Sequence, residues 1–146
     1  PIMDPMDTKK AFVFDLDGTL FETTATPVYV GTGVTPFIEF GDETKLLTES
    51  TPLPLLTLAK EVHDEGHPVY ILTARGQPMA PTIKKLLARY GIQATYVYTA
   101  GDRGFDIPAY KAEILSQLAK DQKVYFWDDD EANLIMVPSP IRTFLA

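Results

Sequence analysis

The sequence predicts an α/β fold: a Rossmann-like parallel sheet with helices on both faces and a small β-hairpin flap. Three observations carry this. Short apolar, β-prone runs recur along the chain. Between them lie stretches whose apolar residues fall at helical spacing, so each pair of strands needs a crossover, and crossovers place helices over a parallel sheet. No internal repeat, low-complexity segment or interdomain linker breaks the alternation, so residues 1–146 read as one domain.

The elements follow in order. Residues 1–9 read as a loose tail. Residues 11–15 (AFVFD) form an apolar strand that ends on an acid, and residues 16–20 (LDGTL) make a tight turn around Gly18. Residues 21–50 read as an irregular insertion rich in Thr, Gly and Pro. Within it, two short strands around Gly31-Thr32-Gly33 suggest a flap over the site, carrying Val28, Tyr29, Val30, Phe37, Ile38 and Phe40. The same residues would suit a packed hairpin or a dimer contact. A helix over 54–64 places Leu55, Leu58, Ala59 and Val62 on one side, and Gly66 stops it. A strand at 68–73 follows, then a helix over 80–90 with Ile83, Leu86 and Leu87 together. A strand at 94–99 leads to a helix over 108–119 with Ile114, Leu115 and Leu118 inward. A strand at 124–127 runs into Asp128-Asp129-Asp130. A short helix over 131–136 and a last strand, Arg142–Leu145, complete the series, and Trp127 is expected in the core.

Composition sets bounds on function. The chain is 45% hydrophobic and 23% charged, an ordinary globular balance. Without cysteine there is no disulfide framework, thiolate nucleophile or Cys-based zinc site, and a reducing, cytoplasmic setting is expected. Thirteen Lys and Arg against twenty Asp and Glu give a net charge of −7, which excludes a generally basic nucleic-acid surface but not a local one. No apolar run reaches the roughly 20 residues of a membrane span, and the first ten residues carry no apolar signal region. The oligomeric state, monomer or homodimer, is left open.

The polar residues at strand ends carry the chemistry. In an open parallel sheet, ligands bind beyond the carboxyl ends of the strands. Three apolar strands end at Asp15, Thr73 and Asp128, delivering two carboxylates and a hydroxyl to one edge. Crowded carboxylates repel one another, and a bound cation relieves that. Hard oxygen ligands without clustered Cys or His favour Mg2+, which commonly shares its ligands with a substrate phosphate. Asp15 and Asp17 lie two apart, and a turn relaxed at Gly18 can bring both to the site, one as nucleophile and the other as general acid/base. Thr73 offers a hydroxyl to a phosphoryl oxygen. A lysine is wanted as a point charge on phosphate, and Lys111 is the best placed.

These residues resemble the four motifs of the haloacid dehalogenase (HAD) superfamily, over nearly the whole chain. FDLDGTL (14–20) matches the first motif, ILTAR (71–75) the second, Lys111 in AYKAEIL the third and YFWDDDEAN (125–133) the fourth. Lys84 and Lys85 are rivals for the third. The resemblance implies that Asp15 attacks phosphorus to give an aspartyl-phosphate. It implies that Asp17 protonates the leaving group and then activates water. Gly18, Thr73, Ala74, Arg75 and Lys111 would contact phosphate. Asp15, the Asp17 backbone carbonyl and Asp128 would hold magnesium, with Asp129 as an outer or additional ligand. Having Asp17 points to phosphatases rather than dehalogenases. The spacing leaves no room for a large cap domain, and capless members often take extended substrates. The layout is similar to the phosphatase domain of bacteriophage polynucleotide kinase-phosphatase. The expected substrate is therefore a nucleotide or a polynucleotide-end phosphate, or another phosphorylated small molecule.

Plainer readings stand beside these. Thr73 could cap a helix, and Arg75 could make an ordinary salt bridge rather than a phosphate or nucleotide contact. Asp130 and Glu131 read as a solvated helix start. His63 and His67 straddle Gly66 at a helix end, which disfavours zinc. Gly31-Thr32-Gly33 does not open a helix and is no dinucleotide fingerprint. A protein phosphatase is the first alternative function, which an exposed aromatic groove beside Asp15 would favour. A non-catalytic binding module of the same fold is the second.

Overall fold

The computed structural model describes residues 9–24, 28–30, 33–35, 43–100 and 107–146. Five strands build the main sheet: β1 (Lys10–Phe14), β6 (Val69–Thr73), β7 (Tyr96–Thr99), β8 (Lys123–Asp128) and β9 (Arg142–Leu145). Their spatial order is β7-β6-β1-β8-β9, and every pairing is parallel. The chain thus builds outward from β1 in one direction, then returns to build from β8 in the other. The fold is Rossmann-like α/β, and its crevice opens where the direction reverses, between β1 and β8.

Two-residue alternation gives each strand two faces. On one face Phe14, Val69, Ile71 and Val97 meet Leu56, Ala59 and Val62 of α2 (Leu55–Asp64) and Ile83, Leu86 and Leu87 of α3 (Ala80–Ala88). On the other, Ala11, Val13, Tyr70, Leu72, Val124 and Phe126 meet Ile114, Leu115 and Leu118 of α4 (Ile107–Leu118). Each fully buried Leu, Ile or Phe contributes about 1.5–3 kcal/mol, so these two layers hold the sheet and the edge it presents in place. α5 (Ala132–Ile135) is a single short turn between β8 and β9.

The described parts of the insertion after β1 hold more regular structure than its composition suggested. β2 (Phe21–Glu22) pairs antiparallel with β5 (Thr51–Pro52) at its base, and β3 (Val28–Val30) pairs antiparallel with β4 (Gly33–Thr35). The expected hairpin is present in the backbone. Gly31, Thr32, Phe37, Ile38 and Phe40 lie outside the described residues, as do the side chains of Val28, Tyr29 and Val30, and so does the expected cover over the site. α1 (Glu43–Glu49) was not anticipated. Its two apolar residues are too few to set a period: Leu46 is buried and Leu47 packs at the core margin. Tertiary contact with α3 holds it, and Arg89 donates a hydrogen bond to the Leu47 carbonyl.

Other boundaries shift slightly. A 3-10 turn (Gln77–Met79) precedes α3, and β8 reaches Asp128 itself. Trp127 is half-buried, stacked between Phe14 and Phe144 at 4.9 and 4.7 Å, rather than fully in the core. Among the described residues no helix is long and apolar enough to cross a membrane.

Candidate active site at the carboxyl edge of the sheet

Asp15 lies one residue beyond β1. Its N–H still donates to the Trp127 carbonyl at 2.9 Å, so the β1–β8 ladder fixes its position. The chain then turns sharply, and the N–H groups of Thr19, Leu20 and Phe21 all converge on the Leu16 carbonyl at 3.1–3.2 Å. Leu16, Leu20 and Phe21 are fully buried and anchor the turn from below. Gly18 takes φ +79°, a left-handed conformation that a side chain would strain. The result brings Asp15 and Asp17 to the same edge, although an extended strand would separate them.

A first cluster forms at the switch point. Lys111 reaches from α4 and its Nζ donates to Asp15 Oδ1 at 3.2 Å and to Asp128 Oδ2 at 2.8 Å. Asn133 donates to Asp128 Oδ2 at 3.1 Å, and the Asp130 N–H donates to Asp128 Oδ1 at 2.9 Å. Thr19 Oγ1 donates to Asp15 Oδ2 at 3.1 Å. Asp129 completes the group, and Asp15, Asp128 and Asp129 each offer a carboxylate oxygen within 4.8 Å of the others.

The charge balance of this cluster is uneven: three carboxylates face one ammonium. Burial pushes the Asp15 carboxyl well above the usual carboxylate range, and the neighbouring Asp128 charge adds to this, while Lys111 opposes it. Burial likewise raises Asp129. Burial alone would lower Lys111, but Asp15 and Asp128 outweigh it and hold the ammonium above its ordinary value. Surplus buried negative charge with only hard oxygen donors is a fitting site for a cation, and these three aspartates could hold a metal ion.

A second cluster lies beside it. Arg75 is fully buried two residues past β6. Its Nη2 donates to Asp17 Oδ1 at 2.7 Å, and its Nε lies 3.1–3.2 Å from both Asp17 oxygens. Thr23 Oγ1 donates to the same Oδ1 at 2.5 Å. Thr73 ends β6 fully buried, and its Oγ1 accepts the Arg75 N–H at 3.1 Å. Ala74, half-buried, links the two.

The sequence-predicted residues therefore fall into two groups. Asp15, Asp128, Asp129 and Lys111 meet in the first, and Asp17 and Arg75 meet in the second, with Thr73 tied to Arg75. The Arg75 guanidinium is engaged with a carboxylate, the salt-bridge alternative that the sequence left open. Lys84 and Lys85 are exposed on α3, whereas Lys111 is buried among the acids. His63 Nε2 accepts the Gln93 N–H at 3.1 Å, and His67 packs its ring against Phe12. Three contributors carried no assigned role. Thr19 and Asn133 lie inside the motif stretches, where their side chains could have been suspected. Thr23 sits in the stretch read as irregular, and nothing in its spacing marks it.

No family model matches the chain, and no curated protein does. Among solved structures, the chain is similar to one in the structure of the Pnkp1/Rnl/Hen1 RNA repair complex, with a TM-score of 0.70 and 18% identity. The match covers 100% of this chain and 44% of that one, so the chain spans less than half the length of its structural neighbour. At this identity the likeness establishes the α/β fold.

Proposed function

We propose that this chain is a magnesium-dependent phosphomonoesterase of the HAD type, acting on a nucleotide or polynucleotide-end phosphate through an aspartyl-phosphate on Asp15. We read residues 1–146 as one HAD-like domain, with 21–50 as a minimal cap. The observation that carries the reading is the cluster at the switch point of the sheet: buried Asp15 and Asp128 joined by Lys111, with half-buried Asp129 beside them. The RNA-repair setting of the structural neighbour supports an end-processing substrate over other phosphate esters.

The residues divide the reaction between them. An Asp15 oxygen attacks phosphorus, the Asp–O–P bond forms, and the P–O ester bond breaks. Asp17 gives its proton to the departing oxygen. Water then attacks the same phosphorus and returns a proton to Asp17, freeing inorganic phosphate and the Asp15 carboxylate. Lys111 and the Thr73 hydroxyl hold phosphoryl oxygens, as do the backbone groups around Gly18 and Ala74. Asp15, Asp128, Asp129 and the Asp17 carbonyl are the groups that would hold Mg2+, which supplies charge neutralisation at the phosphate when bound. Arg75 and Thr23 act through Asp17: they fix the carboxylate beside the attacking group. Arg75 is thus a positioning residue in this reading rather than a phosphate contact.

The test is a phosphatase screen with and without magnesium, on wild type and Asp15→Asn. Nucleotides, 3′- and 5′-phosphorylated oligonucleotides, sugar phosphates and phosphopeptides are compared. The reading expects magnesium-dependent release of phosphate that Asp15→Asn abolishes. Release from none of the substrates, or full activity in Asp15→Asn, contradicts it.

A further inference from the structure

Beside the candidate site runs a groove of about 780 Å³, lined among others by Tyr96, Tyr98, Thr99, Tyr110, Lys84 and Gln77. Its volume lies within the usual range for a ligand cleft, far more than one phosphate group needs. One wall is the end of β7, where Thr99 is the register partner of Thr73. The other wall begins at Gln77, two residues past Arg75. The groove therefore opens from the same edge as Asp15 and leads away from it.

Its chemistry is unusual for this chain. β7 is an outer strand of the sheet, so nothing in the sheet covers it. Tyr96 and Tyr98 point to one face, and their ring centroids are 4.6 Å apart. Tyr96 is 53% exposed, a large aromatic surface left in water. Tyr98 is half-buried. Its hydroxyl is pushed up by burial and by Tyr70, Tyr96 and Tyr110, which places all four phenols together. The chain carries a net charge of −7, yet among the described residues no carboxylate lines the groove and Lys84 makes no ion pair.

We infer that this groove seats the single-stranded nucleic-acid segment next to the terminal phosphate, with bases stacked on Tyr98 and Tyr96 and the backbone drawn to Lys84. The inference rests on the phosphatase reading and narrows its substrate. Aromatic rings alone would also suit a phosphopeptide. Two π-faces beside the Lys84 ammonium, with no carboxylate among the described lining residues, better fit a polymer that repeats a flat ring and an anion at each unit. Duplex bases are already stacked on each other, so a single strand is the form that can use the rings. The run from Thr99 to Tyr98 to Tyr96 places the terminal nucleotide nearest the site and its neighbour farther out.

The test uses the full chain with magnesium and four substrates: a phosphorylated single-stranded oligonucleotide, its blunt duplex, a phosphopeptide and p-nitrophenyl phosphate. Tyr96→Ala should raise KM for the single strand about tenfold with kcat unchanged, the loss expected of one stacked base, and leave p-nitrophenyl phosphate within about twofold. Tyr96→Phe, which keeps the ring, should behave as wild type. Lys84→Ala should reduce the salt dependence of binding by about one phosphate contact. Equal KM changes on p-nitrophenyl phosphate, no change on the single strand, or a Tyr96-dependent KM for the phosphopeptide instead would overturn the inference. Fluorescence anisotropy with the labelled oligonucleotide separates this outcome from failure of the phosphatase reading. Binding that persists in Asp15→Asn and weakens about tenfold in Tyr96→Ala supports the groove even if no turnover is found. Binding indifferent to Tyr96 removes the groove whatever the activity.

Discussion

Two buried cations meet carboxylates at the edge of this sheet, and they do so differently. Among the described residues Arg75 meets the Asp17 carboxylate with two nitrogens, one charge against one. Lys111 meets Asp15 and Asp128 with one nitrogen, while Asp129 stands within reach of both, and the group is short of positive charge. The difference separates a held carboxylate from a cluster open to a further charge. A bidentate pair of matched charges fixes the geometry of its carboxylate. An unbalanced cluster is costly until something positive enters, so these aspartates could hold a cation.

The largest expected effect comes from the unbalanced side. Asp15→Asn should lower kcat by at least about a thousandfold on every substrate, because it removes the proposed nucleophile and a proposed metal ligand together. Steady-state rates with saturating magnesium check this. Asp17→Asn should cost about 10²–10⁴-fold in kcat on an alkyl phosphate, whose leaving oxygen needs a proton. Its magnesium midpoint should stay within about twofold of wild type. A large shift in that midpoint would merge the two clusters into one metal site.

Arg75→Gln probes the balanced side. It strands the Asp17 carboxylate in a buried position and should cost about 3–5 kcal/mol of stability by denaturant unfolding. Arg75→Lys should recover part of the stability but not the two-nitrogen grip, so activity on alkyl phosphates should stay depressed while p-nitrophenyl phosphate is less affected. Equal losses on both substrates would mean that Arg75 contacts the phosphate after all.

The smallest effects concern the candidate cation site and pH. Magnesium at a hundred times its Kd should stabilise the wild type by about 2.7 kcal/mol and Asp128→Asn by much less. Asp15 holds its proton more tightly folded than at its unfolded value near 3.8. Between these values the folded protein binds more protons than the unfolded one. The Asp15 contribution to metal-free stability should therefore be complete below pH 3.8 and fall as pH rises above it. Protons and magnesium compete for the same carboxylate, so the magnesium midpoint should rise as pH falls. Thermal melts across pH, with and without magnesium, read both.

Much of this was legible in the sequence because strand ends are strong signals. An acid closing a buried apolar run marks an edge, and AFVFD, PVYILT and VYFWD placed Asp15, Thr73 and Asp128 on the same one. The alternation of runs and helices then fixed the Rossmann-like layout. What the sequence left open depends on side-chain reach. Arg75 could have turned toward phosphate or toward Asp17, and only packing around the Gly18 turn decides. Thr23 joins Asp17 because β2 folds back beside it, a contact with no periodic signature. α1 was missed because seven residues with two leucines carry too little pattern, and its place is set by α3. The β7 tyrosines read as an ordinary strand until the sheet order made β7 an edge.

The central claim is that Asp15 is phosphorylated during turnover, and Asp17→Asn offers the most direct view of it. With p-nitrophenyl phosphate, a good leaving group, formation of the aspartyl-phosphate needs little help from Asp17, whereas its hydrolysis still does. Rapid mixing with magnesium should give a burst of about one nitrophenolate per protein, and mass spectrometry of the acid-quenched protein should place the phosphate on Asp15. Linear release without a burst and no phosphate on Asp15, from a wild type that turns the substrate over, would contradict the account.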